Sequence, residues 1–147
     1  MIRCLGLHAV AAMALGSAPV FAGHELEDRD IPRGQALYAE NCASCHGANL
    51  EGQPNWRSPG PDGVLPAPPH DETGHTWHHD NKLLFDYARL GGQAALDQRG
   101  IAGFKSGMPA FAETLTEDDI WTILAFIRST WPDRVQQMQA ARNNPNH

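Results

Sequence analysis

A chain of 147 residues, 41% of them hydrophobic, is enough for one compact domain with a short surplus and too little for two full ones. Its 17 acidic against 11 basic side chains, a net charge of −6, argue against nucleic acid as a partner and favour docking to a basic surface.

The first residues differ from the rest. Arg3 supplies a positive start, residues 5–20 are mostly apolar and small, and Val20-Phe21-Ala22 places small residues where a signal peptidase cuts. Residues 1–22 therefore read as a leader cleaved after Ala22, and the mature protein as periplasmic or otherwise exported. Gly6, His8, Gly16, Ser17 and Pro19 break the run, which falls short of the ~20 consecutive apolar residues of a membrane helix. No later segment comes closer, so membrane association requires an uncleaved leader. Cleavage removes Arg3 and Cys4. That leaves 10 basic against 17 acidic groups, a net of −7, with Cys42 and Cys45 to account for the cysteine chemistry.

Residues 23–32 read as a solvated, partly mobile N-terminal extension. A first helix is predicted from about Pro32 to Asn41, with Pro32 in its first turn and Gly34, Leu37, Tyr38 and Asn41 spaced i, i+3, i+4, i+7. It leads directly into Cys42-Ala43-Ser44-Cys45-His46, a C-x-x-C-H haem-attachment motif. Each thiol can form a thioether with one porphyrin vinyl group, and the adjoining imidazole is then held under the iron as an axial ligand. Other uses of a C-x-x-C pair fit less well. A thioredoxin-like site needs a βαβ context, a structural zinc site needs a second ligand pair, and a plain disulfide places no demand on position 46.

Residues 51–80 hold six of the 11 prolines, several glycines and little apolar periodicity. They read as a long loop, anchored by Trp56 and Trp77, that wraps over the haem edge. A second helix is predicted from about Asp80, its N-cap, to Leu90, with Leu83, Leu84, Tyr87 and Ala88 on one side and Gly91-Gly92 at its end. Met108 lies in Lys105-Ser106-Gly107-Met108-Pro109-Ala110-Phe111, an irregular segment suited to pressing a thioether onto the iron, 62 residues beyond His46. Met138, the other mature methionine, lies in a polar tail. The third helix is the clearest. Thr116-Glu117-Asp118-Asp119 resembles a capping box, Ile120, Ile123, Leu124 and Ile127 form a stripe, and Trp131-Pro132 stops it. Residues 133–147 read as a solvated, partly mobile tail.

Taken together, residues 33–132 resemble a class I c-type cytochrome, the bacterial single-haem domain kind. The resemblance implies an all-α fold of three to five helices wrapped around one covalent haem c, with the long Pro/Gly/His-rich loop as an insertion. Cys42 and Cys45 then carry the thioethers, His46 is the proximal ligand and Met108 the distal one. It also implies a crossing of the first and last helices at Gly34 and Tyr38 against Ile123 and Phe126. A proline carbonyl, that of Pro68 or Pro69, would orient the axial imidazole.

One stretch departs from the family pattern. His70, His75, His78 and His79 fall within ten residues, and His70 occupies a position usually apolar. His75, His78 or His79, with Trp77, fit hydrogen-bond donors to the haem propionates, and the cluster also fits a surface copper or zinc site or a solvated polar loop. The chain thus reads as a non-enzymatic single-electron carrier of a periplasmic or respiratory chain, docking on redox partner proteins. The alternative is a haem c protein with a second metal site at the histidines, used in metal handling or as a redox subunit of a larger oxidoreductase.

Overall fold

The computed structural model describes residues 24–144, so the expected leader, Cys4 and the last three residues lie outside it. The described residues contain no strand. Six α-helices run in order: α1 (Ile31–Asn41), α2 (Ala43–His46), α3 (Asn81–Leu90), α4 (Gly92–Gln98), α5 (Glu117–Ser129) and α6 (Asp133–Ala140). The all-α expectation holds. The three helices predicted individually are α1, α3 and α5, and the shorter α2, α4 and α6 join them.

Local chemistry sets the helix ends. Asp30 caps α1 by accepting the Arg33 N–H, with Pro32 in the first turn. Asp80 caps α3 by accepting from Leu83 N at 2.7 Å, and Gly91 ends it at φ +83°. The α5 capping box forms with Asp119 in the acidic role. Asp119 N donates to Thr116 Oγ1 at 3.1 Å, and Thr116 N donates to Asp119 Oδ2 at 3.0 Å.

The centre of the fold is the packing of α1 on α5. A Cβ built on Gly34 would collide with the carbonyl oxygen of Thr122 and lie 2.8 Å from Phe126 Cβ, so only glycine allows this approach. Tyr38, 2% exposed, lies one turn further along α1 with its ring 5.6 Å from that of Phe126. Thr122 rather than Ile123 is the closest neighbour of Gly34; Ile123 is buried in the core. Arg33 bridges Asp118 and Asp119 at the start of α5, and Arg29 pairs with Asp118. Burial on α3 departs from the predicted stripe, since Leu84, Tyr87 and Ala88 are only half-buried and the helix packs on both α4 and α5. Leu83 and Phe85 are buried, and Phe85 stacks on Trp121 at 4.3 Å.

Both ends of the described chain depart from the expectation of solvated segments. Leu26 is buried in the core, and Glu27 pairs with Arg128 at 2.9 Å. In the tail, Gln139 is only 1% exposed and donates to Asn81 Oδ1 at 2.7 Å and to the His79 carbonyl at 3.3 Å. Asn81 also donates through its side chain to Glu25 and through its backbone to Asn143. Polar groups at the start of α3 thus hold both ends, a form of packing that apolar periodicity does not register. No helix of the described residues is long and apolar enough to cross a membrane.

Candidate haem site

Cys42 closes α1, its N–H donating to the Tyr38 carbonyl, and the chain turns at once into α2, where His46 N–H donates to the Cys42 carbonyl at 2.9 Å. Cys42 and Cys45 are therefore one helical turn apart and share a face. Cys45 is exposed, while burial, with Cys45 nearby, pushes the Cys42 thiol up to about 11. His46 is buried, and burial lowers its pKa, partly offset by a hydrogen bond to the Pro68 carbonyl.

That bond, Nδ1 to Pro68 O at 2.8 Å, decides between the two prolines. A carbonyl only accepts, so Nδ1 carries the hydrogen and Nε2 presents its lone pair as a metal ligand does. Loop closure makes the contact. Gly52 N–H donates to the His46 carbonyl at 2.7 Å, Gln53 N–H to Ala67 O, and His70 N–H to Leu50 O. Gly52 has φ +68°, and a Cβ there would lie 2.6 Å from the Pro68 carbonyl carbon. A glycine at this crossing therefore lets the proline run close over the motif.

Met108 is half-buried and held at the α3–α4 junction. Gly92 N–H donates to the Met108 carbonyl at 3.0 Å, and Phe111 N–H to that of Ala88. A Cβ on Gly91 would meet Ala110 N at 3.0 Å, so the paired glycines let this segment lie flat on the helix junction. Cys42 and Met108 both line a small apolar cavity of about 20 Å³, together with Ala88 and Phe111 and residues of α5, while His46 does not line it. Met138 does not line it and is 37% exposed on α6. The 51–80 loop touches both sides of the site. Pro68 reaches His46, while Lys105 Nζ donates to the Asp62 carbonyl and Val64 lies beside Gly107.

The family model described as Cytochrome c matches residues 31–131. The chain belongs to the cytochrome c family. It is a class I c-type cytochrome, and the family's cofactor is covalently attached haem c, usually one per domain. Comparison with curated proteins and with solved structures finds no match. The residues present suit the cofactor: two thiols on one helical turn, an imidazole with Nε2 available, a thioether, and an apolar cavity joining the Cys42 and Met108 sides.

The four histidines of this cytochrome do not act as one group. His75 stacks on Trp56, with ring centroids 5.5 Å apart and planes at 5°, and Arg57 covers the indole at 4.1 Å. His79 and His78 lie 5.1 and 6.4 Å from His75, and His78 stacks on Trp77. Among the described residues, no group of three or more His, Cys, Asp or Glu side chains is placed to hold a metal ion. The Trp77 indole donates to the Glu72 carbonyl, which occupies the donor expected for a propionate. Burial, reinforced by His75 and His78, lowers His79 to about 4.

His70 stands apart, with its ring 4.0 Å from that of His46 at 86°. Burial, then the charges of His46 and His75, hold its pKa well below the ordinary 6.5. Sequence reasoning noted His70 as unusual and assigned it no place of its own. Its signal was its position two residues after Pro68. Leu115, which lines the cavity, was likewise not singled out; its only sequence signal is that it directly precedes the Thr116 cap.

Proposed function

We propose that this cytochrome is an exported single-electron carrier of a periplasmic or respiratory chain, with Cys42 and Cys45 as attachment points and His46 and Met108 as axial ligands. The hydrogen bond from His46 Nδ1 to Pro68 O carries the reading, because it holds the imidazole as a neutral Nε2 donor in a fixed orientation. When bound, haem c supplies an iron that cycles between ferrous and ferric states by one electron. The chain does the rest. Met108 offers a thioether, which favours the ferrous state relative to a second imidazole. Apolar side chains from α3 and α5, those of Ala88, Ile120, Ile123 and Leu124, line the cavity that Cys42 and Met108 share. The acidic balance of the cleaved chain, 17 against 10, supports steering toward basic docking patches on redox partners, whether free proteins or other subunits of an oxidoreductase.

The test is absorbance spectroscopy with redox titration of the purified holoprotein and of Met108→Ala. The variant should lose the sulfur-to-iron charge-transfer band, bind external ligands in the ferric state and titrate at a lower potential. Retention of the wild-type band and midpoint would overturn the ligand assignment. Export is tested by the mass of the mature protein, which should begin at Gly23 if the leader is cut after Ala22.

A further inference from the structure

The ring of His70 owes its place to the backbone. Its N–H donates to Leu50 O at 2.8 Å, and its carbonyl accepts from Trp131 Nε1 at 2.7 Å. Two residues earlier, Pro68 holds His46. The imidazole is thereby wedged edge to face against His46, with the Tyr38 ring 6.0 Å away. Nδ1 of His70 is closed off from solvent and has no hydrogen-bond partner. A buried polar atom left unpaired is costly, and an aliphatic side chain would avoid that cost. Orphaned N–H groups are rarer than orphaned acceptors, so the buried Nδ1 holds a lone pair and Nε2 carries the hydrogen.

We propose that His70 sets the reduction potential of the haem iron by keeping the lone-pair edge of its imidazole in the protein interior beside the proximal ligand. The ferric site carries one more positive charge than the ferrous site. The negative end of a fixed dipole, closed off from water on a ring packed against the proximal ligand, favours the more positive state. His70 therefore lowers the potential below what a hydrocarbon in its place would give. It is a positioning residue that acts through His46, and the inference rests on His46 being the iron ligand.

The test compares midpoints of the wild-type holoprotein with His70→Leu, His70→Phe and His70→Asn. Leu removes ring and dipole, Phe keeps a ring without nitrogen, and Asn keeps a dipole without the ring. Leu and Phe should each shift the ferric/ferrous equilibrium toward ferrous about three- to tenfold, a rise of about 30–60 mV at 59 mV per decade for one electron. Asn should stay nearer the wild type. An unchanged or lower midpoint in Leu or Phe, or an Asn variant as high as Leu, would overturn the proposal. If Leu fails to take up haem, Phe and a second measurement decide. Long-range proton–nitrogen NMR of the ferrous wild type should find Nδ1 of His70 unprotonated, and a proton there would refute the mechanism. The ligand assignment is checked separately, by whether His46→Ala abolishes the low-spin spectrum. Its failure is thus distinguishable from a failure of the potential shift.

Discussion

Replacing Gly34 with alanine tests the helix crossing that positions the haem motif. In an ordinary helix interior the change would stabilise, since glycine is worse than alanine by about 1 kcal/mol. Here the new methyl would lie 2.8 Å from Phe126 Cβ and closer still to the Thr122 carbonyl oxygen. Carbon atoms pack best at about 3.5–4.0 Å, so α1 and α5 must separate by roughly 0.7–1.2 Å. Thr122 contributes backbone, which cannot rotate aside, and Phe126 is wedged against Tyr38. Overpacking of this kind costs ~1–3 kcal/mol; with backbone as the obstacle we take the upper half, and subtracting the propensity gain leaves a net loss of about 1–2 kcal/mol. At roughly 4–8 °C per kcal/mol for a domain near 100 residues, the melting temperature should fall by about 5–15 °C. Thermal and guanidinium unfolding of the holoprotein, followed by far-ultraviolet circular dichroism, reads this directly, and Gly34→Val should lose more. A Gly34→Ala protein that melts at or above the wild-type temperature would refute the close crossing.

Gln139→Ala strands the Asn81 side-chain oxygen and the His79 carbonyl, and should cost ~1–3 kcal/mol in guanidinium unfolding; a loss below about 0.5 kcal/mol would mean that α6 is not anchored there. Asp80→Ala removes the α3 cap and the pair with Arg99. It should destabilise by about 1 kcal/mol, with Asp80→Asn retaining more stability because asparagine still caps; equal losses would assign the effect to charge alone. The pH dependence follows from His79, whose folded value of about 4 lies below the ordinary 6.5. In that window the unfolded chain takes up a proton that the folded chain refuses, so the contribution is full above about pH 6.5 and is lost as pH falls toward 4. His79→Asn should flatten the stability profile between these limits, and an unchanged slope would remove His79 from the account.

Much of the fold was legible from local chemistry. The α5 stripe and its Thr116 cap and the Asp80 cap of α3 depend on helical period and side-chain reach within a few residues, whereas the glycine of the α1 crossing came from the family resemblance, since its contacts lie on a distant helix. The Cys42, Cys45 and His46 spacing is likewise a property of one helical turn. What polar packing contributed was not legible. Residues 133–140 carry too few apolar side chains to announce a docked helix, and Gln139 is held by Asn81, 58 residues away. The N-terminal extension read as solvated for the same reason, although Leu26 reaches the core. Within the site, only closure of the 51–80 loop selected Pro68 over Pro69, set His70 against His46, and placed His75 and His78 in stacks with Trp56 and Trp77. The linear sequence by itself determined which groups could serve a haem, because covalent spacing and helical period act over single turns. Tertiary structure alone decided which carbonyl and which ring neighbour His46 received, because those contacts form between segments more than 20 residues apart and depend on how the intervening loop returns.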